Sequence, residues 1–302
     1  MGKNNLHIAG YTAILIAVVL WGASFVWTKA LLGSGFTVMT IVLLRVVIAS
    51  AVMFLLFKPT KKIQKLKPQD LKWFFLLALF EPFLYFVGES YGLQYVSPSV
   101  ASAVIALVPI ATAESVNIFY KQKHGMELYA GALISVAGIV LMSFTGAVGE
   151  VSLKGMALML LAVFSATMYG TVLQKILNRG YNAVTVTTWQ NVIAVIYYLP
   201  CFLILDLRSF ASLPWSFAAV GDILILGILC SAAAFALYSY SASVISVAKV
   251  CVFTNAIPIV TVFISVLMHM EILSFYKVLG ILVVVLGVII SQIKTISNKN
   301  ES

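Results

Sequence analysis

Acidic residues are scarce in this chain. Ten aspartates and glutamates serve 302 residues, and all charged types together make up 10% of it, against about 25% in a soluble domain. With 62% hydrophobic residues and a mean hydropathy of +1.07, that scarcity excludes a water-soluble globular protein. Cysteine and histidine are nearly missing too. The three cysteines, Cys201, Cys230 and Cys251, fall inside apolar runs, where a thiol behaves as a small hydrophobe. The three histidines, His7, His124 and His269, lie at the ends of such runs. No metal-binding spacing and no nucleophile–base pair emerges, so neither a metal, a cofactor nor an enzymatic activity is expected. A cleavable leader is not expected either. The first apolar run is too long for one and carries Trp21 and Trp27, so it should stay in the protein.

What the chain does have is long apolar runs. They are about 20 residues long, the length of a helix that crosses a bilayer, and they do not alternate as barrel strands do. Only helices and closed barrels can pair every backbone group inside lipid. The expected fold is therefore an all-α, polytopic membrane protein with ten transmembrane helices. They are placed at 8–31, 36–57, 71–92, 97–119, 128–147, 153–175, 183–205, 217–241, 246–268 and 273–293. The loops are short; the longest, from Lys58 to Gln69, is bounded by Pro59 and Pro68.

The net charge of +9 would point a soluble protein towards nucleic acid. Here the basic residues crowd into short loops and report topology, so the partner is the lipid bilayer and not nucleic acid. One side would hold thirteen: Lys3, six lysines from Lys58 to Lys72, Lys121, Lys123, Lys175, Arg179, Lys294 and Lys299. The other would hold Lys154, Arg208 and Lys277. That asymmetry predicts a cell-membrane protein with both termini in the cytoplasm.

The two halves repeat. Tyr91, Ser97, Pro109, Gly131 and Gly138 are matched, 149 residues later, by Tyr240, Ser246, Pro258, Gly280 and Gly287. Gly10 and Gly155, 145 apart, each open the first span of a half. Five spans per half is an odd number, so the second unit (153–293) would enter the membrane inverted relative to the first (8–147). Inverted repeats place substrate and coupling sites at their interface near the midplane, and one half rocks on the other to give alternating access. The glycines seven apart in the fifth and tenth spans suit close helix packing, within the bundle or in a homodimer.

Ionisable residues within spans are costly and mark cavities, ion pairs or proton relays. Here they are Glu81, Glu89 and Glu114 against Lys29, Arg45 and Lys249. Depth along the spans pairs them as Lys29–Glu89, Arg45–Glu81 and Lys249–Glu114. Glu81, Tyr85 and Glu89 form one polar stripe on the third span, with Pro82 disturbing the helix beside Glu81. Glu81 is the first candidate for loading and releasing a proton, and Glu114 the second. Pro109 and Pro258, mid-span in matched positions, mark interrupted helices of the kind that build transporter sites. Thr254 and Asn255 lie near Pro258 and can hydrogen-bond a substrate, while Trp21, Tyr169 and Tyr238 can stack on one.

In order and spacing these features resemble the EamA-type branch of the drug/metabolite transporter superfamily. The resemblance is carried by Trp21-Gly22-Ala23-Ser24-Phe25 with Lys29, by Arg45, by Tyr91-Gly92-Leu93 leading into Ser97-Pro98-Ser99, by Pro109-Ile110 and Pro258-Ile259, and by Glu271. It implies an inverted five-plus-five bundle around a central cavity. It also implies a secondary transporter, often an exporter, of small metabolites such as amino acids, with Ser24 among the lining residues. The alternative is a proton-coupled multidrug or cation exporter. Two departures from the family pattern stand out: Gln122 lies where Glu271 lies in the second half, and the third span carries Glu81 and Glu89. The partners expected are a small-molecule substrate and protons, with the protein a monomer or a homodimer.

Overall fold

The fold is described from a computed structural model, in residues 3–112, 115, 126–143, 152–272 and 274–297. Among these residues the chain is all-α, with no strand. Helix α1 covers Lys3–Gly33 and α2 Val38–Phe57. They are followed by α3 (Pro68–Gly92), α4 (Pro98–Thr112), α5 (Met126–Ser143), α6 (Leu153–Leu177) and α7 (Ala183–Leu205). The last three are α8 (Phe217–Ile245), α9 (Lys249–Leu267) and α10 (Phe275–Ser297). Seven of these are long and apolar enough to cross a membrane, while α4, α5 and α10 contain shorter apolar stretches. Helix starts follow local chemistry: Ser97, Ser152, Asn182 and Ser216 each accept a backbone N–H of the first turn with their side chains.

The outer surface is rich in large apolar side chains such as Leu55, Leu133, Leu160, Ile204 and Phe263, as a lipid-facing surface requires. Helices pair in a pattern that maps onto itself when the halves are exchanged. α1 packs on α8 as α6 packs on α3; α2 packs on α7; α5 packs on α10. The pair α2 and α7 runs antiparallel. Asp206, at the end of α7, accepts the Thr40 N–H in the first turn of α2 at 2.9 Å. At the opposite end, Thr185 in the first turn of α7 accepts the Gln64 N–H at 2.9 Å. The glycines of α5 and α10 let these helices touch within the bundle: a Cβ on Gly138 would sit 2.6 Å from the Gly280 carbonyl oxygen, and one on Gly287 2.6 Å from that of Gly131.

Four helices are interrupted, in two matched pairs. α3 contains a π-helical segment, Leu79–Leu84, and α8 another, Leu226–Ala233. α4 breaks into a turn at 106–107, and α9 tightens to a 3₁₀ turn at Thr254–Ala256. Each of the latter breaks lies just N-terminal to its proline, Pro109 or Pro258, because proline tolerates the first turn of a new helix but not the interior of an old one. In α3, Glu81 is fully extended (φ −143°, ψ 122°) and its peptide bond to Pro82 is cis. The Pro82 and Phe83 carbonyls at this break both accept from the Tyr198 hydroxyl of α7 at 2.8 Å. In α8 the Cys230 carbonyl accepts from the Trp21 indole at 3.2 Å. Backbone groups left by an interrupted helix in lipid must find partners, and here side chains from neighbouring helices supply them.

Candidate functional site

The interruptions in α3 and α9, and the face of α8 beside its π-helical segment, surround one small buried cavity of about 50 Å³, room for a few water molecules. α1 contributes Trp21 and Ser24, α2 contributes Arg45, and α3 contributes Glu81, Tyr85 and Glu89. The other half adds Tyr169 from α6, Tyr238 from α8, and Cys251 and Thr254 from α9. The repeat is visible in this lining: Phe86, Glu89, Ile105 and Val108 correspond to Phe235, Tyr238, Thr254 and Ile257, each pair 149 residues apart. Trp21 and Ser24 likewise match Ala166 and Tyr169 at a separation of 145. Residues equivalent by sequence thus meet around one point.

The walls are aromatic. Trp21 packs against Phe235 and Tyr238 with ring centroids 5.1 Å apart in both cases, and Tyr169 lies 6.2 Å from the same two rings. The polar groups are deeply enclosed: Arg45 is 0% exposed, Glu89 1% and Glu81 7%. Arg45 does not form the expected ion pair with Glu81. Its Nε donates to Ser231 Oγ at 3.2 Å, its guanidinium lies 3.9 Å from the centre of the Phe86 ring, and Nη1 and Nη2 have no hydrogen-bond partner. Glu89 Oε2 is also buried without a partner. The expected Lys29–Glu89 pair is absent as well. The Lys29 ammonium donates to the carbonyl of Leu93 and, at 3.2 Å, to that of Val96. Depth along a helix is legible in sequence, but the direction in which a side chain leaves it at a break is not.

Lys29 belongs to a polar clasp over the end of the cavity opposite the lysine-rich loop. Glu271 accepts from the Ser99 N–H at 3.0 Å, from Ser99 Oγ at 2.6 Å and from the Lys277 ammonium at 3.2 Å. This ties the start of α4 to the connection between α9 and α10. At the lysine-rich end, Asp70 pairs with Arg179 and accepts from the Tyr181 hydroxyl at 2.9 Å, which joins the start of α3 to the connection between α6 and α7.

A sequence model of the EamA-like transporter family matches residues 8–144 and again 153–292. The chain belongs to the EamA-like transporter family. It is a multi-pass membrane transporter, consistent with its apolar spans. Relatives cover nearly the whole chain. The uncharacterized transporter YdfC of Bacillus subtilis is 27% identical over 296 residues, 97% of this chain and 94% of its own length. An uncharacterized transporter of Archaeoglobus fulgidus is 27% identical over 93% of this chain and 97% of its own. A protein of Streptantibioticus cattleyicolor named "Probable terminal-alkyne amino-acid exporter" is 21% identical over 96% of this chain and 95% of its own. A crystal structure with 17% identity superposes over 100% of both chains with a TM-score of 0.69, a likeness of fold.

Within this EamA-like frame, not every expected site residue reaches the cavity. Asn255 is half-buried in the 3₁₀ turn of α9 and is not part of the lining; Lys249 is exposed near the start of that helix. Glu114 and Gln122 lie outside the described residues. Pro82 is buried in the π-helical segment beside Glu81, and Pro258 opens the second part of α9. Phe86, Phe235, Cys251 and Ser231 were not anticipated. The 149-residue offset would have paired Phe86 with Phe235. Ser231 carried no signal, because the π-helical segment of α8 contains no proline.

Proposed function

We infer that this EamA-like protein is a secondary active transporter that moves small metabolites such as amino acids outward across the cell membrane by alternating access. Its two five-helix units, 8–147 and 153–293, are inverted repeats with both termini in the cytoplasm. Glu81 carries the coupling proton. The observation that carries this reading is a buried cavity lined by residues of both halves that match at a constant offset, with ionisable groups at a helix break. The antiparallel run of α2 and α7, the paired interruptions and the exporter name of one relative support it. The two acids in an aromatic cavity favour a second reading, proton-coupled export of lipophilic cations. Purified protein in liposomes under an imposed pH gradient tests both. Accumulation of labelled amino acids supports the first reading, accumulation of lipophilic cations alone the second, and no accumulation of either defeats both. Tags at the two termini that are reached only from outside the cell would overturn the topology.

A further inference from the structure

The guanidinium of Arg45 is fixed on two sides and open on a third. Its Nε edge is held by Ser231 of α8, and one face lies on the Phe86 ring of α3. Its remaining edge, Nη1 and Nη2, has no hydrogen-bond partner, although Arg45 is wholly buried and lines the cavity. Arginine cannot shed its charge, and a buried cation left without a counter-ion is strongly disfavoured. Glu81 and Glu89 border the same cavity, yet neither forms an ion pair with Arg45. Two parallel N–H groups at the end of a rigid fork match the two oxygens of a carboxylate.

We propose that the Nη1–Nη2 edge of Arg45 is the carboxylate subsite of the transported substrate. Ser231 and Phe86 are its positioning residues. The assignment rests on the metabolite-transport reading and adds which group of the substrate is compulsory. Glu89 Oε2, buried without a partner on the same cavity, is the acceptor for a substrate ammonium. Carboxylate and ammonium together fix the α-carbon of the molecule, and the aromatic walls take its side chain. The anchor sits in the first half and its brace, Ser231, in the second. A movement of one half against the other therefore makes or breaks that brace.

The test is thermal stabilisation of the purified full-length protein by four matched probes: an α-amino acid, its decarboxylated amine, its carboxamide and its deaminated acid. The amino-acid series uses side chains from glycine to tryptophan. For the wild type, the amino acid is expected to stabilise most, the deaminated acid detectably, and the amine and carboxamide at least tenfold more weakly in apparent Kd. Arg45→Gln removes the difference between amino acid and amine. Ser231→Ala, a milder change, weakens carboxylate binding several-fold while leaving amine binding where it was. Should the amine or the carboxamide bind the wild type as tightly as the amino acid, the Arg45 assignment is overturned and the transport reading stands. If no probe binds and none is transported, both fail. The wild-type arm decides the matter even if Arg45→Gln does not fold.

Discussion

Replacing Glu271 by glutamine probes whether the clasp over one end of the cavity is a gate. The change keeps the shape of the side chain but removes its charge and turns one oxygen into a donor. Three hydrogen bonds converge on the carboxylate, two from Ser99 and one from Lys277, and the Glu271 and Lys277 side chains are 6% and 5% exposed. A hydrogen bond to an ionised group contributes about 1.5–3 kcal/mol and one between neutral groups about 0.5–1.5. Loss of charge over three bonds thus weakens the closed end by about 3 kcal/mol, and about 1.4 kcal/mol is tenfold in an equilibrium constant. Even if hydration of the open form offsets half of this, the open population rises at least tenfold. The protein carries its own reporter, since Cys251 lines the cavity. With Cys201 and Cys230 replaced by alanine, a membrane-impermeant thiol reagent is added to proteoliposomes from either side, and modification of Cys251 is timed by mass spectrometry. In Glu271→Gln the rate from the Glu271 side should rise by a factor of about 10 or more, and the rate from the other side should fall. Unchanged rates on both sides, in a protein whose melting temperature has dropped, would reduce the clasp to a structural tie and refute the gating argument.

Three further outcomes can be measured separately. Glu81→Gln should abolish uptake driven by a pH gradient in liposomes while substrate-for-substrate exchange persists; retention of gradient-driven uptake would remove Glu81 from coupling. Gly138→Val pushes a side chain into the Gly280 carbonyl, 2.6 Å from where its Cβ would lie. It should destabilise the protein by about 1–3 kcal/mol, seen as a lower melting temperature in detergent, and an unchanged value would contradict the close α5–α10 contact. Ser246, between α8 and α9, has φ 85° and makes no side-chain capping bond. Ser246→Gly should therefore raise stability by about 1 kcal/mol, as relief of a left-handed backbone position predicts.

Much of the site was legible because acids and prolines inside apolar runs are conspicuous. Glu81, Glu89 and Arg45 could be singled out because they are the charged residues away from the ends of their spans' apolar runs, Lys72 lying at the very start of the third. The helix break at Pro82 could be read from the missing N–H of proline. Partner choice was not legible. Lys29 was matched to Glu89 by depth, yet its ammonium goes to carbonyls left free where the chain leaves α3. Arg45 was matched to Glu81, yet the extended backbone at Glu81 changes the bearing of that side chain, and Arg45 settles on Phe86 and Ser231. Helical-wheel geometry assumes 3.6 residues per turn, and the π-helical segments in α3 and α8 break that assumption at the places that matter. The α8 segment has no proline to mark it, so the hydrogen bond its Ser231 makes to Arg45 was out of reach. Asn255 lies in the 3₁₀ turn of α9 beside the lining residue Thr254, and a one-residue step turns its side chain off the lining.

The cavity is symmetric in position but not in chemistry. Glu89 corresponds to Tyr238, Ser24 to Tyr169, Trp21 to Ala166 and Ile105 to Thr254; only Phe86 with Phe235 and Val108 with Ile257 are alike. Every ionisable carboxylate and guanidinium of the lining comes from the first half, and the second half answers with aromatic rings, a thiol and a hydroxyl. A lining with two-fold chemistry would accept an asymmetric molecule equally well in two opposed orientations. Confining the charges to α2 and α3 leaves one. It has a second consequence for the rocking motion proposed above. Arg45, Glu81 and Glu89 lie on helices of the same half, so they travel together and keep their mutual distances while the aromatic wall on α6 and α8 closes on them or draws away. On that proposal the costly separation of buried charges is kept out of the cycle, and the contacts made and broken are the aromatic ones, individually weak, and the Arg45–Ser231 hydrogen bond.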